Sequence, residues 1–365
     1  MNSEGKNVIN LGIGSPDLNP PARVINKLIE SAQEEGSSRY QSYRGMPELR
    51  QGFAHHYSQF LDVQVDPDTE ILPLIGSKEG IMHISMSLLN EGDQVLVPNP
   101  GYPSYSATAK IADAEPLLYD LDEENGWMPN LDKLEKLDLD KVKLMWINYP
   151  NMPTGARISY EFMERLIAFG NRNNILICHD NPYNFILNDE PKSLLNVPGA
   201  KECALELYSL SKCFNMAGWR VGAVIGRKDI IDIIMRFKSN MDSGMYKPVQ
   251  LAAAEALHLD QSWFDELNDI YRSRREHVFD IFDMLDCQYQ RDAASLFVWA
   301  KTPSYIANVH EWVDEILHKS NVFITPGSIF GSNGERYVRI ALCSTIDTFK
   351  EAHSRISRTF VKSLA

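Results

Sequence analysis

The chain has 365 residues, with 36 Lys plus Arg against 49 Asp plus Glu and a formal net charge of −13. That length implies roughly two domains at about 150 residues each, with a core large enough to need no disulfide staples. The acid excess excludes a general nucleic-acid binder and an anionic membrane surface as partner, since both need net or clustered basic charge. A small anion stays open, provided positive charge is gathered at one point. The five cysteines (Cys178, Cys203, Cys213, Cys287, Cys343) are odd in number and scattered, which predicts a reduced, cytoplasmic protein. The first six residues lack a basic-then-apolar leader, and no apolar run approaches the ~18 residues of a membrane span.

In chain order, residues 71–75 form a short apolar run that ends at Gly76-Ser77, and an amphipathic stretch follows over 78–89. Residues 94–97 read as a strand closed by Pro98-Asn99-Pro100-Gly101, and 142–147 as another ended by Asn148-Tyr149-Pro150. Helical periodicity over 160–171 precedes a buried strand at 175–178 that stops at His179-Asp180. Runs at 205–210 and 221–225, then a helix over 229–241, continue the alternation. This pattern predicts an α/β region with a mainly parallel sheet. The last hundred residues change character: a long helix over 263–285, a strand at 295–300, a helix over 309–319, strands at 322–325 and 337–342, and a final helix. We therefore expect a large domain over 46–262 and a smaller α+β domain over 263–365, with the segment 1–45 packing on the latter.

In parallel sheets of this kind, ligands sit beyond the carboxyl ends of the strands. The residues following the apolar runs are Gly76-Ser77-Lys78, Asn99-Pro100-Gly101-Tyr102, Asn151-Met152-Pro153-Thr154-Gly155, Asp180-Asn181-Pro182-Tyr183 and Ser209-Leu210-Ser211-Lys212. An isolated lysine is ordinarily a solvated surface residue. Lys212 instead follows a buried run, beside two hydroxyls and eight residues before Arg220. A desolvated lysine near other cations has a lowered pKa and becomes a Schiff-base nucleophile. Ser-x-x-Lys also occurs in penicillin-binding enzymes, but their Ser-Asp-Asn and Lys-Thr-Gly partners are absent.

The stretch from Ser209 to Lys212, continued by Gly218-Trp219-Arg220, resembles the cofactor-lysine motif of class I/II aminotransferases, the fold type I pyridoxal-phosphate enzymes. Gly12-Ile13-Gly14-Ser15-Pro16-Asp17 is similar to that family's opening, and residues 40–50, from Tyr40 to Arg50, to its next landmark. The landmarks occur in the family's order over nearly the whole chain, nearest the aspartate and LL-diaminopimelate aminotransferase-like branch. The resemblance implies a seven-stranded, mainly parallel sheet between helices. It implies pyridoxal 5′-phosphate on Lys212, which would also shuttle the proton of the reaction. Asp180 would pair with the pyridinium nitrogen, Tyr183 would hydrogen-bond the ring oxygen, and Tyr102 would stack on the ring. Ser77 and Lys78, at a helix start after Gly76, would bind the phosphate through backbone N–H groups, with Ser209 and Arg220 completing the site. Tyr40 would reach in from a neighbouring subunit, which implies a homodimer with shared active sites. Arg339 would hold the substrate α-carboxylate bidentately, and Gly14 would close over the substrate.

One position departs from the family: Met152 stands where an asparagine usually precedes Pro153, and a thioether cannot donate hydrogen bonds. Asn151 is the neighbouring candidate for the substrate carboxylate. Asn99-Pro100 and Met152-Pro153 are candidate cis peptides by the same resemblance. Gly12-x-Gly14 lacks the third glycine of a dinucleotide loop, and the nine histidines show no metal-ligand spacing. His179 reads as a partner of the Asp180 carboxylate, and Cys213 as packing. The expected activity is a ping-pong transamination from an L-amino acid to a 2-oxo acid, without a metal. A β-lyase or decarboxylase of the same fold is the alternative; a non-catalytic coenzyme sensor is a further one, for which no DNA-binding module supplies an output.

Overall fold

The structure, a computed structural model, describes residues 5–359; the start of the stretch read above as lacking a leader therefore lies outside the described residues. In chain order the strands are β1 (Ile9–Asn10), β2 (Ile71–Leu74), β3 (Gln94–Asn99), β4 (Glu115–Asp120), β5 (Val142–Ile147), β6 (Leu176–Asn181), β7 (Ala204–Ser209) and β8 (Gly222–Gly226). They are followed by β9 (Gln288–Tyr289), β10 (Phe297–Lys301), β11 (Val322–Phe323), β12 (Thr325–Pro326) and β13 (Tyr337–Ala341).

Seven of them form the main sheet in the order β2-β8-β7-β6-β5-β3-β4. Only β8 runs against the others, antiparallel to both β2 and β7. Both faces of this sheet are covered by helices, which is why its central strands read as near-continuous apolar runs rather than alternating ones. On one face, Leu144, Trp146, Cys178, Leu205 and Leu207 pack with Ile81, Ile84 and Tyr105 from the helices Ser77–Leu88 and Ser104–Ile111. The opposite face, carrying Met145, Ile147, Ile177 and Tyr208, joins the larger core, which includes Phe53 and Tyr57 of the helix Pro47–Leu61.

Strand β4 was absent from the sequence reading. It is an edge strand that begins Glu115-Pro116 and exposes Leu118, so it lacks the run of buried apolar residues that marks its neighbours. The C-terminal region forms an antiparallel sheet in the order β12-β13-β10-β9, flanked by the helices Gln261–Met284, Val309–Ser320 and Ile346–Thr359. The expected strand at 322–325 is two short strands in different sheets, since β11 pairs parallel with β1 and β12 pairs with β13. The N-terminal segment divides: β1 joins β11, whereas the helix Ala22–Gln33 lies against the helix Lys247–Ala256, with Arg23 paired to Glu255 at 2.8 Å. The peptides before Pro100, Pro150 and Pro153 are all cis.

Candidate active site

The carboxyl ends of β3, β5, β6 and β7 open into a cavity of about 520 Å³, within the usual range for a small-molecule site. Lys212 stands on the helical turn Leu210–Cys213, directly after β7, where Ser209 caps the turn by accepting from the Ser211 N–H. Its Nζ donates to the Gly14 carbonyl at 2.5 Å. Burial, reinforced by the charges of Arg220 and Arg339, holds the ammonium below its ordinary pKa. A lysine so poised is a competent nucleophile toward an aldehyde.

Asp180, on β6, is 5% exposed. One carboxylate oxygen accepts from the Tyr105 hydroxyl at 2.8 Å, while Oδ1 is buried without a partner. Burial raises the carboxyl to about 6, against the opposing pull of the Tyr105 hydrogen bond and of His179 and Lys212. A buried, unpartnered carboxylate oxygen is costly unless something completes it. A protonated ring nitrogen has the donor and the charge to do so.

Positive and amide groups gather along the same wall. Ser77 and Lys78 open the helix Ser77–Leu88, so their N–H groups have no intrahelical acceptor. Gly76 is in a left-handed conformation, with φ 84°, and a side chain there would overlap the Arg220 guanidinium. Its lack of one leaves room for that cation beside the helix start. Arg220 donates to the Ala217 carbonyl at 2.9 Å and reaches Ser211 Oγ at 3.5 Å. Amides, hydroxyls and a guanidinium at one helix N-terminus suit a phosphate. The fit extends across the cavity, where Tyr102 and Tyr183 bring aromatic rings, Tyr183 edge-on to Phe297 with centroids 5.6 Å apart.

Arg339, on β13, closes the far side. Its guanidinium lies between the rings of Phe297 and Phe330, 4.1 and 4.5 Å from their centroids. Nη2 donates to the Gly12 carbonyl at 2.9 Å, Nη1 meets Met152 Sδ at 3.5 Å, and Nε is buried without a partner. Burial lowers its pKa to about 10, still cationic at neutral pH. With both faces covered by rings, only the guanidinium edge is available, and an edge is what a carboxylate engages.

The structure thus brings Gly14, Ser77, Lys78, Tyr102, Asp180, Tyr183, Ser209, Lys212, Arg220 and Arg339 to one cavity, with Gly76 immediately behind Arg220. It does not bring Asn151 there. That side chain is consumed in its own turn, donating to the Asn148 carbonyl and accepting from the Thr154 N–H and hydroxyl. Tyr40 is 90% exposed and lines no part of the cavity of its own chain. His179 is not a partner of Asp180: neighbours on a strand point to opposite faces, and its ring nitrogens meet Glu206 and the Tyr149 carbonyl instead. Cys213 donates to the Pro182 carbonyl, and burial pushes its thiol up to about 12, in keeping with packing.

Sequence reasoning missed Tyr105, Asn148, Phe297 and Phe330. Asn148 ends an apolar run as Asp180 does, and that position was its available signal. It donates to the Asp180 carbonyl at 2.6 Å and accepts from the Met152 N–H at 2.7 Å. Among the described residues, Glu79, His83 and Asp242 bring three candidate metal-ligand atoms within 4.8 Å of one another, away from the cavity; Lys238 Nζ already sits 2.8 Å from the Asp242 carboxylate.

Comparison with known proteins agrees with this geometry. The profile of "Aminotransferase class I and II" matches residues 6–356. An LL-diaminopimelate aminotransferase of Halothermothrix orenii is 40% identical over 98% of this chain and 92% of its own length. One from Dehalococcoides mccartyi is 39% identical over 93% and 88%. Among solved structures, substrate-bound BacF from Bacillus subtilis superposes with a TM-score of 0.93 at 37% identity, covering 98% of this chain and 91% of that one. A probable N-succinyldiaminopimelate aminotransferase from Thermus thermophilus gives 0.91 at 30%, covering 98% and 96%. The chain belongs to the class I and II aminotransferases, and it is a pyridoxal-phosphate-dependent transaminase of fold type I.

Proposed function

We propose that this transaminase takes an L-amino acid of the aspartate to LL-diaminopimelate range as donor, with Arg339 as its α-carboxylate ligand. The single observation that carries the site reading is the opposition of two buried, incomplete groups across one cavity, Asp180 Oδ1 and Arg339 Nε. Each lacks the partner that a bound coenzyme and a bound carboxylate supply. The coenzyme, when bound, contributes an electron sink for the bond-breaking step.

In this reading Asp180 keeps the ring nitrogen protonated, and Tyr105 orients the Asp180 carboxylate. The N–H groups of Ser77 and Lys78, with Ser209 and Arg220, bind the phosphate. Tyr183 serves the ring oxygen, and Tyr102 covers the ring face. Lys212 would anchor the coenzyme and would then carry the proton taken from the substrate Cα. For that it must leave the Gly14 carbonyl it holds at 2.5 Å. Arg339 fixes the carboxylate, and hence the bond presented to Lys212.

We further propose a homodimer in which Tyr40 completes the neighbouring phosphate site. Its 90% exposure, in a chain that also exposes Tyr43, Tyr246 and Met241, supports this. The large and small domains divide near residues 46 and 262, and the enzyme works in the cytoplasm; among the described residues no helix is long and apolar enough to cross a membrane. The branch assignment draws support from relatives named LL-diaminopimelate aminotransferase at 38–40% identity.

The test is a panel of amino donors, LL-diaminopimelate and aspartate included, with 2-oxoglutarate and pyruvate as acceptors. Each half-reaction is followed as conversion of the bound coenzyme to its amine form. Turnover confined to this donor range supports the reading. Turnover confined to monocarboxylate donors overturns the range, and product formation without the amine form points to lyase or decarboxylase chemistry.

A further inference from the structure

Behind the site, on the opposite face of the same two strands, lies a buried ionisable group that no step above uses. Glu206 of β7 is fully buried and stands in register with His179 of β6, one residue before Asp180. Five donors converge on its carboxylate. Oε1 accepts from the Tyr57 hydroxyl at 2.7 Å and from Asn181 Nδ2 at 3.3 Å. Oε2 accepts from His179 Nδ1 at 3.2 Å, the Ser193 hydroxyl at 2.9 Å and the Leu194 N–H at 3.0 Å. Burial alone would raise this carboxyl; the hydrogen bond and charge of His179, with the Tyr57 and Ser193 hydroxyls, outweigh it and hold it below its ordinary value.

The His179 proton positions follow from its partners. Nδ1 faces the Glu206 carboxylate and donates to it, and Nε2 sits against the Tyr149 peptide, 2.9 Å from its carbonyl and 3.3 Å from its N–H, which donates to the ring. The ring thereby ties β7 to the turn that follows β5. That turn carries Met152, the neighbour of Arg339, and its Asn148 side chain holds the Asp180 carbonyl at 2.6 Å. One couple therefore reaches the backbone on both sides of the cavity, through the Tyr149 peptide and the turn that Asn148 opens.

We infer that Glu206 and His179 are a positioning couple: Glu206 orients the His179 ring, and His179 in turn fixes the Asn148–Met152 turn against Asp180. This rests on Asp180 being the ring-nitrogen partner. Glu206 touches neither coenzyme nor substrate and acts only through His179. The sequence signal is slight, a single acidic residue in the otherwise uncharged strand β7.

The experiment compares the holoenzyme variants Glu206→Gln, Ser193→Ala and Asp180→Asn with the parent protein. It measures the dissociation constant of pyridoxal phosphate and the kcat and KM of the donor half-reaction. Loosening the turn that holds the Asp180 carbonyl misplaces its carboxylate, an effect about the size of one ordinary hydrogen bond, or about fivefold. Glu206→Gln is therefore expected to weaken coenzyme binding and lower kcat about fivefold each, with KM within about twofold. Ser193→Ala removes a donor to Glu206 without touching His179, and all three quantities should stay within about twofold. Should Glu206→Gln fail to fold, His179→Gln, which removes the ring that links Glu206 to the Tyr149 peptide, carries the same expectation. Parent-like coenzyme binding and kcat in the folded Gln variant, with Asp180→Asn impaired, overturn the inference alone. So does a Ser193→Ala loss as large as that of Glu206→Gln, which would mark the network as packing only. A parent-like Asp180→Asn overturns the reading of Asp180 itself.

Discussion

Strands β6 and β7 present two faces with opposite habits. On the cavity face, Asp180 has one carboxylate oxygen unpartnered and a carboxyl raised to about 6, while Lys212 is held below its ordinary pKa. On the opposite face, in register with His179 one residue before Asp180, Glu206 is just as buried but fully engaged by five donors and pushed the other way. Burial is the same; satisfaction is not. Polar groups left incomplete inside a protein cost stability, so they persist where a ligand completes them. A buried carboxylate with all its partners supplied by the chain is architecture. The distinction yields experiments that should split the two faces.

The largest effect belongs to Lys212. Lys212→Ala removes both the nucleophile and the proton carrier, so the visible absorption that the coenzyme acquires on joining a lysine should vanish. Turnover should fall about 10⁴-fold, the upper end for loss of an acid–base group. Spectra and donor half-reaction rates check this, and a variant that retains both would break the cavity-face reading.

Asp180→Asn should separate stability from function. The folded protein holds this carboxyl at about 6 against an ordinary value of 3.8, so it keeps its proton while the unfolded chain has already lost one. Stability contributed by the neutral form is full below pH 3.8 and is lost as pH rises toward 6. In the coenzyme-free protein, the asparagine variant should therefore be more stable at pH 7, by roughly 1–3 kcal/mol, with the difference closing near pH 4. Urea midpoints at the two pH values check it. With coenzyme and donor, the same variant should be slow.

Tyr57→Phe makes the mirror-image change on the opposite face. It deletes the 2.7 Å donor to Glu206 and leaves His179 in place. A buried charged acceptor losing one partner costs about 1–3 kcal/mol, which a urea titration at pH 7 reads as a lower midpoint. Donor KM and kcat should stay near those of the parent protein. A loss of turnover without a loss of stability would mean that the two faces are not separable in this way.

The same contrast explains what could be read from the sequence. Lys212 and Asp180 were visible because each terminates a buried apolar run, where parallel sheets expose their ends, and Arg339 because a charge inside a strand needs a reason. The family landmarks then ordered them. Tyr105 was invisible because its hydroxyl meets Asp180 across 75 residues, and nothing local to Ser104–Ile111 separates it from a core tyrosine. His179 was assigned to Asp180 because they adjoin in sequence, yet adjacency on a strand means opposite faces. Glu206 was passed over for the same reason: its partners come from Pro47–Leu61, β6 and the 193–194 segment, which only the fold brings together. Asn151 was named for its adjacency to Met152, but side-chain direction in a turn does not follow spacing, and here the turn folds Asn151 onto itself.

Met152→Asn offers the smallest and most discriminating effect, because it alters the carboxylate grip without touching either carboxylate of the strand pair. In the parent protein the thioether sulfur gives Arg339 Nη1 a weak acceptor at 3.5 Å and offers the substrate nothing to bind. An amide at that position can accept from the guanidinium with its oxygen and donate to the substrate carboxylate with its nitrogen. One added hydrogen bond of ordinary strength, about 0.5–1.5 kcal/mol, corresponds to a donor KM lower by roughly two- to tenfold. Because the bond is made to the α-carboxylate, it persists from bound substrate to transition state, so kcat should change little. The coenzyme should remain bound, since its phosphate and ring contacts lie on other elements. Donor KM values across a panel decide the matter: a uniform decrease locates the effect at the carboxylate common to all donors. A decrease for some donors only locates it at the side chain, and parent-like values throughout mean that Arg339 alone, clamped between Phe297 and Phe330, supplies the full grip.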